Sequence, residues 1–568
     1  MASANILKAT SAALAAAQRG DHASSLAACA EGLGSWPPAA GQARDGDLEL
    51  HFLACSALAN LRRFGEANAY LDNLRPYADA YGDFVALRAA CRHGEGRHAE
   101  ALDLADKLPG EYAYSPMWAP TLLNIRFACG EIGAHLQRID FGRILREAPD
   151  SAAGLLLASP YASAHDPARY LEWARAFHAQ ELRRAGLAAP VPASRVRPLG
   201  GRKIRIGYLT SILTPSGLTG IVMPLLRAHD RDRFDAHLIH VALRGEGPPA
   251  LDPAVATLHT LRIADPRSIA EAIRSLDLDI LVDTVGASEW DKRLYRIAYY
   301  APAPIVALWL NNVGTSGNPG IGYLLGTREQ LAPGDERFYS ERLARLATTN
   351  IAFETVEAIP DIRDRPQDAP ITFGCLAHQF KVTPESMALW ARVLLAMPES
   401  RFVLRNAQLA DPGLAERALR AFEAMGVPRA RITVGATVGF RGYMDAYNEI
   451  DVALNTVPVS GGVTVQDGMV MGCPTVSLTG STLLSRTALC VFAPFGLGHL
   501  CPNTEEGYIQ AAVATAGDRA WRATFRRTVR DDILKGRYFK PDAMMRDAEA
   551  IFVAIVEAEA AGRIPRLP

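Results

Sequence analysis

The residues best suited to chemistry lie between Asn455 and Arg486. The apolar run Val452 to Leu454 reads as a buried strand, Pro458, Ser460, Gly461 and Gly462 follow it, and a helical pattern runs from about Thr464 to Met471. Gly472, Cys473 and Pro474 stop that helix, and Thr475 to Leu478 reads as the next strand. This is a βαβ unit whose helix begins at two glycines. The first N–H groups of a helix lack intrahelical partners and sit at the positive end of its dipole, so such a start suits a diphosphate. Asp467, one turn in, is placed to accept from ribose hydroxyls. The plain alternative is an ordinary crossover between parallel strands, because a fold does not name its ligand.

Two alternations of short β-rich runs and helical patterns must position these residues. In the first, Ile204 to Leu209, Ala236 to Val241, Ile280 to Val282 and Ile305 to Leu310 read as strands. Gly217, Gly220, Gly286, Gly314 and Gly317 fall just after strand ends, where ligands meet parallel sheets. The second has strands at Ile371 to Cys375, Arg401 to Arg405, Ile432 to Val434, Val452 to Leu454 and Thr475 to Leu478, with helices such as Ser386 to Ala396 and Leu414 to Met425 between them. Two such halves predict a two-lobed protein with its ligand in the cleft. A last helical segment, about Pro541 to Ala561, is long enough to pack across the lobes.

Upstream, residues 1–185 are rich in Ala and Leu and carry no convincing strand. Arg63-Phe64-Gly65-Glu66-Ala67 and Arg97-His98-Ala99-Glu100-Ala101 lie 34 residues apart, with a looser copy at Gly20 to Leu26. That period matches the tetratricopeptide helix–turn–helix. Such a stack presents a groove to a polypeptide; a homodimer formed through the repeats is its other use. Residues 186–201 read as a Pro/Gly-rich linker.

The 568 residues carry a formal net charge of −1, which gives no electrostatic reason to expect nucleic acid or an anionic membrane as partner. The first residues, without a basic stretch followed by an apolar core, predict no signal peptide, and no apolar run approaches the ~20 residues a membrane helix needs. The 8 cysteines are scattered without a Cys-x-x-Cys pair, which predicts buried thiols, no zinc and a cytoplasmic protein.

Several separate motifs, in order, resemble the catalytic region of the family 41 glycosyltransferases, the O-GlcNAc transferase family, in its bacterial form with N-terminal repeats. They are Ala303-Pro304-Ile305-Val306-Ala307-Leu308-Trp309-Leu310 with Gly314-Thr315-Ser316-Gly317, Pro333 to Glu341, Phe373-Gly374-Cys375 with Lys381 and Pro384, and Gly480 to Arg486. The resemblance implies an α-helical repeat domain (1–185) and a linker (186–201), followed by a GT-B fold of two Rossmann-like lobes: an acceptor and sugar side (202–365) and a UDP-sugar side (366–540), then a closing helix (541–568). Lys381 would then sit against the diphosphate, Thr464 beside the phosphates, Asp467 on the ribose and His378 near the uracil. Gly461 and Gly462 would let backbone approach the nucleotide. Gly314, Thr315 and Ser316 would lie on the loop facing the sugar. The implied activity is inverting transfer of GlcNAc, or a related sugar, from a UDP-sugar to Ser or Thr of a polypeptide held by the repeats, with no metal or other cofactor.

Three departures from the family pattern stand out. The histidine-containing loop after the first strand is here Thr214 to Gly220, without histidine, and Ser216 near that place is no base at neutral pH. Tyr443 replaces a histidine and offers a ring to stack on uracil. Gly322 stands where an aspartate is usual. These departures support a second expectation, a UDP-sugar-binding scaffold without turnover. Asp230-Arg231-Asp232 and Asp277-Leu278-Asp279 have the form of metal-binding acid pairs but read as solvated loop acids.

Overall fold

The computed structural model describes residues 2–34, 47–74, 79–211, 218–242, 251–286, 294–349, 358–366, 368–536 and 539–568. The loop Thr214 to Gly220, with Ser216, lies mostly outside them. Contacts divide the chain into two units, Met1–Ser151 with Gln408–Arg420, and Ala152–Ala407 with Ala421–Pro568.

The first unit is a series of helix pairs: Ala2–Gln18 with His22–Leu33, Leu48–Asn60 with Phe64–Asn73, Gly82–Gly94 with His98–Ala105, and Ala119–Ala128 with Ile132–Arg138. The second helices starting at Phe64, His98 and Ile132 recur every 34 residues. So do the left-handed turn residues before them, Arg62 (φ 58°), Gly96 (φ 79°) and Gly130 (φ 77°). The last pair adds a copy that the sequence motif did not reveal, because Gly130-Glu131-Ile132-Gly133-Ala134 keeps the turn but loses the basic residue. Small residues set the packing distance. A Cβ on Gly94 would come within 2.5 Å of the Phe64 ring. Gln408–Arg420 joins this unit through Asp411, whose Oδ2 accepts from Ala99 N at 2.9 Å, and through Arg417, 3.0 Å from Asp103.

In the second unit, two parallel sheets are built as expected, with additions. The strands are β1 Ile204–Thr210, β2 Phe234–Val241, β3 Thr257–Leu261, β4 Ile280–Asp283, β5 Ile305–Leu308, β6 Tyr323–Thr327 and β7 Arg342–Leu346, then β8 Thr372–Cys375, β9 Arg401–Arg405, β10 Ile432–Gly435, β11 Val452–Leu454 and β12 Thr475–Val476. Their orders are β3-β2-β1-β4-β5-β6-β7 and β10-β9-β8-β11-β12. β5 stops at Leu308, and Leu310 lies at φ 82°, outside the extended region. The first sheet is covered on both faces, as its near-continuous apolar strands require. Pro266–Arg274 and Leu294–Ile297 pack on one face.

The other face takes the C-terminal helix Pro541–Ala560, whose Met544, Met545, Ile551, Phe552, Ile555 and Val556 are buried against β1, β2, β4, β5, β6 and β7. Buried polar groups fix it there. Glu549 Oε1 lies 2.8 Å from His229 Nδ1 and accepts from Asp230 N, while Tyr208 Oη meets His229 Nε2 at 2.7 Å. The helices Ala152–Ala158 and Pro167–Arg184 also belong to this unit, where His178 Nδ1 meets Tyr299 Oη across its core. All eight cysteines are free and buried, and no helix among the described residues is long and apolar enough to cross a membrane.

A non-glycine residue in the left-handed region costs roughly 1 kcal/mol, and the side chain of Arg62 is exposed. Arg62→Gly is expected to raise the local stability of Leu48–Asn60 and Phe64–Asn73 by about 0.5–1 kcal/mol, read as slower amide hydrogen exchange in both helices. Faster exchange would contradict this account of the turn.

Candidate functional site

Strand order locates the site in the second sheet. From β8 the chain steps outward to β9 and β10, then returns to β11 and β12 on the other side, so β8 and β11 are neighbours at the switch point. Ligands of such sheets bind outside the carboxyl ends of the strands at that point. After β8 comes the 3₁₀ turn Gln379–Lys381; after β11 comes the loop Asn455 to Gly462. The two are tied together. Thr383 Oγ1 and Ser386 Oγ donate to Val457 O at 2.7 and 3.0 Å, and Val457 N donates to Ser386 Oγ at 2.9 Å.

Asn455 holds the shape of the loop. Its Oδ1 accepts from Thr456 N and Gly461 N, both at 3.0 Å, and its Nδ2 donates to Ser477 Oγ at 3.2 Å. Glycine is needed at 461, where a Cβ would fall 2.0 Å from Thr464 Oγ1. The helix Val463–Val470 then begins at Gly462 with no side chain capping it. Its leading amides are thus left for an anion.

Lys381, on the turn tied to this loop through Val457, is half-buried, and no carboxylate pairs with it among the described residues. Burial pushes its pKa down to about 8. A cation held without a counter-charge is poised for an anionic ligand. His378 opens the same turn, with its ring stacked on Phe380 at 5.5 Å and its pKa lowered by partial burial of the imidazole and by Lys381. On the other side of the helix start, Asp467 is 7% exposed, and burial raises its pKa to about 6. Tyr443 Oη donates to Asp467 Oδ2 at 2.9 Å, and neighbouring Tyr447 Oη donates to Thr464 O at 2.7 Å. The Tyr443 hydroxyl is therefore engaged with the carboxylate, one oxygen of which stays available.

The loop of Gly314, Thr315 and Ser316 is governed by Glu341. That buried carboxylate accepts from Thr315 Oγ1 and Ser316 N, both at 2.7 Å, and from Ser316 Oγ. Both hydroxyls thus serve the fold of the loop, and Gly314 lies over the Tyr170 ring. The Gly480 to Arg486 segment reaches this loop from the other lobe. Leu483 is buried with Val306, Leu308, Leu324 and Leu343, while Arg486 pairs with Asp335 at 2.5 Å, joining two of the sequence motifs. Ser460 N and Oγ donate to Leu484 O at 3.2 and 2.9 Å, which couples the segment to the loop after β11.

Between these walls runs a crevice lined by Gly314, Thr315, Tyr339, Ser481, Thr482 and His165. Sequence reasoning missed His165, which precedes the helix Pro167–Arg184 and carries no motif. Its Nδ1 meets Ser159 Oγ at 3.2 Å, and burial pushes its pKa to about 4, so the ring is neutral at pH 7. The same segment packs Tyr161 edge-on against Phe380, next to Lys381. Of the two acid pairs, Asp279 is buried on Arg202, and Asp230 Oδ1 accepts from Asp232 N.

The sequence pattern of the family described as Glycosyl transferase family 41 matches residues 361–547. A protein of Hordeum vulgare named as a probable UDP-N-acetylglucosamine–peptide N-acetylglucosaminyltransferase SPINDLY is 26% identical over 306 residues, 53% of this chain and 32% of its own length. Its namesake from Arabidopsis thaliana is 28% identical over 270 residues, 47% of this chain and 29% of its own. The chain thus spans about a third of the length of these curated relatives. Among solved structures, a mutant O-GlcNAc transferase of Thermobaculum terrenum matches with a TM-score of 0.73 at 24% identity, covering 99% of each chain. The shared feature is the fold, repeat helices followed by two GT-B lobes.

Burial of the Asp467 charge carries a cost with a defined sign. The folded carboxyl keeps its proton to about pH 6, whereas an unfolded one loses it near 3.8, so stability falls as pH rises through that window. Asp467→Asn is expected to stabilise the protein at pH 7.5 by about 1–2 kcal/mol, with the gain vanishing by pH 4. Urea midpoints at the two pH values check this; an equal gain at both would refute the buried-charge account.

Proposed function

On the premise that the chain belongs to glycosyltransferase family 41, matched over residues 361–547, we propose that it moves GlcNAc, or a related sugar, from a UDP-sugar to a Ser or Thr hydroxyl of a polypeptide with inversion. The observation that carries this reading is that the turn bearing Lys381, which meets no carboxylate among the described residues, is tied to the loop leading into the uncapped helix Val463–Val470, at the switch point of the second sheet. The leading amides and the ammonium would hold the diphosphate, Gly461 and Gly462 would let it approach the backbone, and the free oxygen of Asp467 would take a ribose hydroxyl. His378 and Tyr443 would border the base.

The acceptor hydroxyl would attack the anomeric carbon from the side opposite the diphosphate. As the new C–O bond forms, the bond to the diphosphate breaks, its electron pair leaves with UDP, and the hydroxyl proton is taken up by the departing diphosphate. A fixed cation facing the departing oxygen stabilises that charge where it develops. Neutral His165, on the crevice between Gly314–Thr315 and Ser481–Thr482, supplies a ring nitrogen able to accept the hydroxyl's hydrogen bond. It is the residue we assign to positioning the acceptor.

A second reading, a UDP-sugar-binding protein without turnover, is favoured by the engagement of Thr315 and Ser316 with Glu341 and by the histidine-free loop after β1. Calorimetry with UDP and UDP-GlcNAc on wild type, Lys381→Ala and Asp467→Ala tests the nucleotide site, and at least a tenfold loss is expected in each variant. Absence of wild-type binding would end both readings. Transfer from a labelled UDP-sugar to peptide mixtures then separates them: turnover, reduced about tenfold or more in His165→Ala with UDP affinity unchanged, supports the transferase, and binding without turnover supports the scaffold.

The pH profile of UDP affinity gives a further check. The Lys381 charge is lost as pH rises through about 8, so affinity is expected to fall up to about tenfold per unit above that value. Lys381→Arg keeps its charge and should flatten the profile. A flat wild-type profile would remove Lys381 from the diphosphate.

A further inference from the structure

A second cluster of cations lies at the opposite edge of the first sheet. β1, β2 and β4 are adjacent and parallel, and Arg202, Lys203 and Arg205, then Arg231 and Asp235, then Asp277 all stand at or just before their amino-terminal ends. With Arg197 they line a cleft of about 560 Å³, closed at its base by Phe234. That volume falls within the range of small-molecule sites.

The charges in this cleft do not balance. Five cations, Arg197, Arg202, Lys203, Arg205 and Arg231, face three carboxylates, Asp235 and Asp277 on the wall and Asp279 beneath. Two arginines are spent. Arg202 grips Asp279 with both arms at 2.6 and 2.8 Å, and Arg197 pairs with Asp277 at 2.7 Å. These contacts staple the linker to the sheet and explain themselves. The remaining three cations are poorly matched. Arg205 reaches Asp235 only at 3.4 Å and donates through Nη2 to Leu276 O at 3.1 Å, while its Nε is buried with no hydrogen-bond partner. Lys203 Nζ donates to Arg231 O at 2.5 Å, and Arg231 donates to Leu226 O at 2.6 Å. Neither meets a carboxylate among the described residues, and both retain unused donors.

Converging like charges in a concave surface are unfavourable unless an anion joins them. Guanidinium forks and an ammonium at one spot match a tetrahedral oxyanion better than water does. We propose that this cleft is a second binding site, distinct from the crevice at β8 and β11, for the phosphate group of a small phosphorylated molecule, with Lys203, Arg205 and Arg231 as its ligands. The proposal is independent of the sugar-transfer reading, since the amino ends of β1 and β2 take no part in it.

The test is calorimetry of the full chain with inorganic phosphate and pyrophosphate in chloride buffer, on wild type, Lys203→Ala, Arg231→Ala and Lys381→Ala. Lys203 is exposed, so its variant keeps the fold should Arg231→Ala not. The expected result is one phosphate taken up by wild type and by Lys381→Ala, at least tenfold weaker in Lys203→Ala and in Arg231→Ala, with UDP affinity unchanged in those two. Absence of phosphate binding, equal binding in all variants, or loss confined to Lys381→Ala would each overturn the proposal. An acidic hexapeptide that binds more tightly than pyrophosphate would also overturn it, by reassigning the cleft to an acidic chain.

Discussion

The candidate site depends on the carboxamide of Asn455. A loop that leaves a buried strand and must offer free amides to a ligand has few ways to satisfy its own backbone, and Asn455 supplies one by accepting from Thr456 and Gly461 while anchoring to Ser477. With the turn closed in this manner, Gly462 can start a helix that no side chain caps. The ties of Val457 to Thr383 and Ser386 then bring the Lys381 turn alongside. The segment that carries the cation is held by hydroxyl-to-backbone bonds with a neighbouring strand's loop, and no carboxylate among the described residues pairs with the cation.

The loop from Gly314 to Gly317 is built on a different principle. There one buried carboxylate, Glu341, collects the hydroxyls of Thr315 and Ser316 and folds a glycine-flanked loop around itself. Leu483 and Arg486 from the second lobe fasten onto the region beneath it. The loop of Thr315 and Ser316 is thus fixed by contacts from both lobes, while the Asn455 loop and the Lys381 turn are held within one lobe.

Strands with apolar runs, such as β4 (Ile-Leu-Val-Asp) and β5 (Ile-Val-Ala-Leu), were legible in the sequence because burial on both faces leaves a continuous signal. β3, Thr-Leu-His-Thr-Leu, and β7, Arg-Leu-Ala-Arg-Leu, lie at the sheet's edges and carry polar residues; pairing with neighbours, not composition, makes them strands. Gly461, Gly462 and Asp467 stood out because glycines and a carboxylate coincide with a helix start, whereas Lys381 was singled out only through the resemblance of its segment to the family. Glu341, His165 and the bond from Tyr443 to Asp467 were not. Each acts through a partner distant in sequence or lacks a pattern of its own, and only the fold brings them into place.

The C-terminal helix gives the molecule an unusual order of completion. Its apolar face fills the core of the lobe that begins at Ile204, so that lobe lacks a wall until the final residues are present. All five strands of the second sheet, β8 to β12, are complete before that helix is made. During synthesis from the amino terminus, the lobe started first is therefore finished after the second sheet, and its apolar β1, β2 and β4 surface must stay protected while that sheet is made.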